Sequence, residues 1–138
     1  MQAFEAFVAQ ATAAFTPTRA LVQVSMDSGA QHRGAEATLA AARRAVADLG
    51  LTADVGIVGG NGMCWAEPLV RITLPGQAAI VYGPVFAAGV AALLHDVFAG
   101  NLRPDLALGT EGEAPVDGIT PFSQQPYFQV QRRYLMAR

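Results

Sequence analysis

The sequence predicts an α/β fold on three observations. A run of β-formers at Ala20–Ser25 follows Pro17, an amphipathic stretch occupies Gly34–Leu49, and a second β-branched run spans Asp54–Val58. Strand, helix and strand in that order form a crossover that lays the two strands parallel. Two further apolar runs broken by Pro75-Gly76 and a second helical stretch complete the pattern.

Each element has its own signal. Phe4, Phe7, Val8, Ala11 and Phe15 recur at helical spacing, so residues 1–16 are expected to form an amphipathic helix packed on the domain and ended by Thr16-Pro17. Ala20–Ser25 alternates Leu21 and other apolar positions with Gln23, as a strand does. In Gly34–Leu49 one stripe carries Ala35, Leu39, Ala42, Val46 and Leu49, with Arg43, Arg44 and Asp48 off it and Gly50 placed as a C-terminal cap. Leu69–Leu74 alternates around Arg71 and Thr73, turns near Gly76 and resumes as Ala79–Tyr82, which reads as a hairpin ended by Gly83-Pro84. Phe86, Val90, Leu93, Leu94 and Val97 then mark a helix over 86–98, with Gly100 beyond it. The order β-α-β-β-β-α is the thioredoxin-like arrangement, whose helices can cover both faces of the sheet. Residues 1–100 are thus read as the domain. Residues 101–120, rich in Gly, Pro and acids, are read as a linker, and 121–138 as an aromatic docking or lead-in segment carrying Phe122, Tyr127, Phe128, Tyr134 and Leu135.

Composition limits the function. At 138 residues the chain suits one domain with a real core. Charged residues make up 14% against 52% hydrophobic, so little charge is available to solvate a large surface, and an exposed apolar patch would mark a partner. A net charge of −2 with no basic run argues against nucleic acid. No window has the eighteen or more consecutive apolar residues of a membrane helix, and the first fifteen residues lack the basic start of a signal peptide. A single cysteine forms no internal disulfide, which suits a reducing, cytoplasmic setting.

The glycine-rich stretch Gly59-Gly60-Asn61-Gly62-Met63-Cys64, running into Trp65-Ala66-Glu67-Pro68-Leu69-Val70, carries the chemical interest. Together with Ser25-Met26-Asp27-Ser28-Gly29-Ala30 and the helix start at Gly34, it resembles the thioredoxin-like 2Fe–2S ferredoxins. The similarity is closest to the domain that precedes the flavin domain in the beta subunit of NAD-dependent formate dehydrogenases and to the NADH-oxidising module of respiratory complex I. That family ligates its cluster through C-x4-C after the first strand and C-x3-C after the second. The resemblance places Ser25 and Ala30 in the first pair of positions and Gly60 and Cys64 in the second, so one thiolate of four remains. It spans about Arg19 to Arg138, and Gln131-Arg132-Arg133-Tyr134-Leu135 is similar to the segment leading into the flavin domain. It therefore implies a kept fold without the 2Fe–2S cluster, with FMN, NAD and iron–sulfur clusters expected in a partner domain or subunit.

Two functions follow. One is a cluster-free, non-catalytic module that helps assemble an NAD-linked flavin and iron–sulfur oxidoreductase, with the aromatic tail against the flavin subunit. The other is a single-cysteine thiol enzyme or redox sensor using Cys64, which would lack both a second thiol and an evident base. Cys64 also reads as a small buried apolar side chain. His32 and His95 have no paired carboxylate evident near them. Gly29–Gly34 and Gly56–Gly60 lack the context of a phosphate or dinucleotide loop and read as turns.

Overall fold

The structure, a computed structural model, describes residues 19–59 and 63–125, with Cys64 described by its backbone alone. The helix expected over 1–16 lies outside these residues, as do Gly60, Tyr127, Phe128, Tyr134 and Leu135. The described chain runs β1 (Ala20–Ser25), α1 (Ser28–His32), α2 (Ala35–Asp48), β2 (Ala53–Val58), β3 (Val70–Thr73), β4 (Ile80–Tyr82), α3 (Ala87–Phe98) and β5 (Ala107–Thr110). One sheet contains all five strands in the order β2-β1-β3-β4-β5. As the crossover requires, β1 and β2 are parallel, with Val22 opposite Val55, and the remaining pairs are antiparallel.

Strand alternation divides the sheet into two unlike faces. Ala20, Val22 and Val24 of β1, Ile72 of β3, and Ile80 and Tyr82 of β4 are buried with Ala35, Ala42 and Ala45 of α2 and Val90, Leu93, Leu94 and Val97 of α3. Both long helices therefore share one face, where the sequence allowed helices on both. On the opposite face Leu21 is half-buried beside Gln23, so it belongs to the polar side of β1. There Arg71 donates to Gln23 and pairs with Glu111 through both ends of its guanidinium. Nearer the loops, Met63, Ala66, Leu69 and Val81 form a second, smaller core with Leu108 and Phe122 against it.

The buried stripe of α2 also differs from the sequence reading. Ala35, Thr38, Ala42 and Ala45 are buried, Leu39 and Val46 only partly, and Leu49 is exposed. Thr38 turns inward because its hydroxyl donates to the Val85 carbonyl at 2.9 Å, satisfying both groups in the core. Small residues on this stripe let α2 sit close to α3. Gly50 at φ +64 and Gly100 at φ +102 end α2 and α3 in the left-handed conformation that glycine adopts freely.

Residues 101–120 are not a linker, because β5 lies within them. Thr110 N–H donates to Thr120 O, Glu111 N–H donates to Ala79 O, and Thr110 also bridges to Pro121. The domain extends through Phe122, whose ring packs on the second core. Four residues including Gly109 are too few to show alternation, and the bonds that make them a strand come from β4 on the far side of α3.

Tyr82 ties that far crossing to the core. Its buried hydroxyl donates to the Leu102 carbonyl at 2.7 Å, and burial pushes the phenol well above its usual range. Tyr82→Phe is expected to leave that carbonyl unpartnered and to cost about 1–2 kcal/mol, read as a lower urea midpoint at unchanged slope.

Candidate functional site

Three loops meet at one end of the sheet, and a short set of hydrogen bonds holds them together. Where β1 ends, Ser25 exchanges two bonds with Leu69: its N–H donates to the Leu69 carbonyl, and its hydroxyl accepts from the Leu69 N–H, both at 2.9 Å. Met26 N–H donates to Val58 O, tying the same corner to the end of β2. Val85 N–H donates to Pro68 O, which brings in the loop between β4 and α3. Asp27 caps α1 by accepting from Ala30 N–H at 2.9 Å, and Ala30 is buried in the main core. Cys64 opens a 3-10 turn, Cys64–Ala66, and Arg33 reaches the Trp65 carbonyl at 3.4 Å. Glu67-Pro68 and Gly83-Pro84 are cis.

Of the four positions singled out in the sequence, the structure thus brings Ser25 and the Cys64 turn into loops joined through Leu69. Ala30 lies within α1 next to them, and Gly60 lies outside the described residues. His32 closes α1, whereas His95 is exposed in α3 beside Asp96. Arg43 and Arg44 are exposed on α2.

Glu67 is the residue that sequence reasoning passed over. It is fully buried, and neither carboxyl oxygen has a hydrogen-bond partner among the described residues. Its Oε2 lies against Gly29, where a Cβ would stand 2.8 Å away. Burial pushes this carboxyl above the ordinary carboxylate range, the neighbouring Asp27 pushes it further, and Arg33 pulls partly back. The two carboxyls lie close without closing a hydrogen bond of ordinary geometry. A carboxylate within the apolar segment from Trp65 to Val70 was the available signal, and only tertiary packing shows that it points inward.

The same end carries exposed apolar side chains. Trp65 is 60% exposed, Ile57 58% and Phe86 50%. Ile57 stands opposite Val24, one residue before Ser25; Trp65 lies in the 3-10 turn; and Phe86 follows Val85, which is bonded to Pro68. Leu106 is exposed nearby, its carbonyl accepting from Gly83 N–H. Phe86, expected on the buried stripe of α3, instead stands as its N-cap.

No protein-family model matches the chain, and no curated protein matches it. Solved structures do. A thioredoxin-like 2Fe–2S ferredoxin from Aquifex aeolicus superposes with a TM-score of 0.56 at 17% identity, covering 72% of this chain and 96% of that one. A wild-type structure of the thioredoxin-like ferredoxin from that organism gives 0.55 at 17% identity over 67% of this chain and 99% of that one. A cysteine-to-serine variant gives 0.54 at 18% identity, over 65% and 98%. The chain has a thioredoxin-like fold. At this identity the likeness concerns the fold alone.

As donors for a 2Fe–2S cluster, the side chains at the four positions do not fit. A cluster of this kind takes four thiolates or two thiolates and two imidazoles. Ser25 offers a buried hydroxyl already engaged with the Leu69 amide, Ala30 offers a methyl group, and glycine at 60 has no side chain. Among the described residues, no group of three or more His, Cys, Asp or Glu side chains is gathered to hold a metal ion. No helix among them is long and apolar enough to cross a membrane.

Proposed function

We infer that this chain is a cluster-free, non-catalytic thioredoxin-like module that docks within an NAD-linked flavin and iron–sulfur oxidoreductase of the formate dehydrogenase or NADH dehydrogenase type, in the cytoplasm. The observation that carries the reading is the rim of exposed Ile57, Trp65, Phe86 and Leu106 around the loop end. The loops of that end are stitched by Ser25 and Leu69. Aromatic anchors surrounded by fixed loops are the usual energetic centres of protein interfaces. FMN, NAD and iron–sulfur clusters belong, in this reading, to the partner. The aromatic tail from Phe122 onward supplies a second contact, although Phe122 itself is shared with the domain.

Two measurements test it. Anaerobic treatment of the pure protein with iron and sulfide is expected to give no 2Fe–2S absorption and no paramagnetic signal on reduction, and a stoichiometric cluster would refute the cluster-free reading. Titration against the flavin- and NAD-binding subunit from the same host is expected to show a complex that Trp65→Ala weakens about thirtyfold or more. A complex of unchanged affinity would remove the rim from the interface.

A further inference from the structure

One polar contact at the loop end is not accounted for by the hydrogen bonds that join the loops. Glu67 is fully buried, and both of its carboxyl oxygens lack a hydrogen-bond partner among the described residues. Asp27 lies beside it. A Cβ on Gly29 would stand 2.8 Å from Glu67 Oε2 and 3.6 Å from Asp27 Oδ1, so the two carboxyls converge on the same glycine. Ionised carboxylates only accept hydrogen bonds. Two of them side by side and out of water repel each other and satisfy nothing, whereas one proton between them leaves a donor, an acceptor and a single charge.

We propose that Glu67 and Asp27 hold one proton between them, and that its loss releases the turn of residues 64–67 and moves Trp65. The proton belongs on Glu67, because Asp27 is already committed as an acceptor: its Oδ1 takes Ala30 N–H at 2.9 Å at the start of α1. The Glu67 O–H then donates to Asp27 and pins the turn to α1. When that O–H bond breaks, the proton leaves to water and two carboxylates face each other in a buried place. Such charge has to be hydrated, so the turn must open. On either side of it Met63 and Leu69 are buried in the second core, and Ser25 holds Leu69 through two bonds. Trp65 lies between them and is 60% exposed. Arg33, at the end of α1, reaches the Trp65 carbonyl and attracts the freed carboxylate. Asp27 and Arg33 are thus the charged groups that act on Glu67 from α1, and His32 on the same helix is exposed. The adjoining loop residues 58–59 and 83–86 carry no ionisable side chain. The inference stands without the docking reading. Where that reading holds, it makes the affinity of the rim depend on pH through Trp65.

Trp65 is the only tryptophan of the chain, so its fluorescence reports the turn directly. In the full-length protein, followed from about pH 4 to about pH 7.5 and so below the ordinary thiol range, the emission should change in one step. Its midpoint is expected above the ordinary carboxylate value of about 4.3. Carboxyl-carbon NMR on the same protein should show Glu67 Cδ titrating with that midpoint and Asp27 Cγ sensing the same step. Glu67→Gln should abolish the step. Asp27→Asn, which keeps a capping side chain on α1, should lower the midpoint, and His32→Gln should leave it in place. In the wild-type protein, a Glu67 signal that titrates at about 4.3 or a flat Trp65 signal overturns the proposal without any variant. A step that survives in folded Glu67→Gln, keeps its midpoint in Asp27→Asn or disappears in His32→Gln overturns it as well. No partner enters these measurements, so a failed docking experiment leaves them intact.

Discussion

Gly83→Ala is expected to be the most damaging single substitution at the loop end. A Cβ at this position would collide with the Ala66 carbonyl oxygen and stand 2.8 Å from a Leu69 methyl. The nearest obstacle is backbone, so no rotamer change relieves it, and the segment from Met63 to Leu69 has to move. That segment is held by Ala66 N–H on Met63 O, by Ser25 on Leu69 and by Val85 on Pro68, so the shift reaches three loops. Overpacking costs typically 1–3 kcal/mol, and the upper end, about 3 kcal/mol, is expected here because backbone must yield. Against a total stability of about 5–15 kcal/mol this is a large fraction. Urea unfolding followed by far-ultraviolet circular dichroism should show a lower midpoint. Gly89→Ala on the exposed side of α3 is the contrast: nothing lies within 4 Å of its Cβ, and the helix should gain about 0.5–1 kcal/mol. Equal midpoints for Gly83→Ala and wild type would mean that the loops do not pack as described.

Glu67→Gln is expected to stabilise the domain at and above neutral pH. The folded protein favours the neutral form of this carboxyl, because burial without a hydrogen-bond partner and the adjacent Asp27 both disfavour its charge. A carboxyl whose pKa is raised on folding contributes stability that is fully present below its unfolded pKa and is lost as pH rises through the folded one. Wild-type stability attributable to Glu67 therefore falls on going from the ordinary carboxylate range toward neutral pH. Glutamine carries no charge to bury and offers an amide that can donate to Asp27. The difference in thermal midpoint, variant minus wild type, should grow with pH from about zero in acid to several degrees at pH 8, at roughly 4 °C for each kcal/mol. Taking the difference cancels the surface pairs of Asp96 and Asp105 with Arg103, which titrate alike in both proteins. A difference that is flat with pH would show that Glu67 is solvated and ionised as an ordinary surface carboxylate.

Periodicity was enough to read most of this fold because strand β1 and helix α3 each bury one side of a regular pattern, and glycine and proline bound the short runs that become β3 and β4. Val90, Leu93, Leu94 and Val97 repeat at helical spacing and are buried together; Ile72 and Ile80 flank a proline–glycine turn and pair across it. The parallel pairing of β1 with β2 followed from the crossover alone. The residues near Ser25 and Cys64 could be recognised as two loops after two strands, since glycine and proline mark such points whatever the fold does with them.

What the sequence could not carry were the facts that depend on a distant neighbour. Four residues around Gly109 become a strand only because β4 offers an unpaired edge. Leu21 shares a face with Gln23 because Val22 and Val24 take the helix-covered side, and Thr38 turns inward because Val85 presents a carbonyl there. Glu67 looks in sequence like any charge beside a proline; its burial arises when the turn from Cys64 to Ala66 folds over α1 and brings its carboxyl against Gly29. Local patterns determine which segments become helix or strand, because each element's own spacing decides which side is apolar. Which polar groups end up buried, and which apolar ones stay exposed at the rim, is decided by contacts between segments far apart in the chain, and only the tertiary structure contains those.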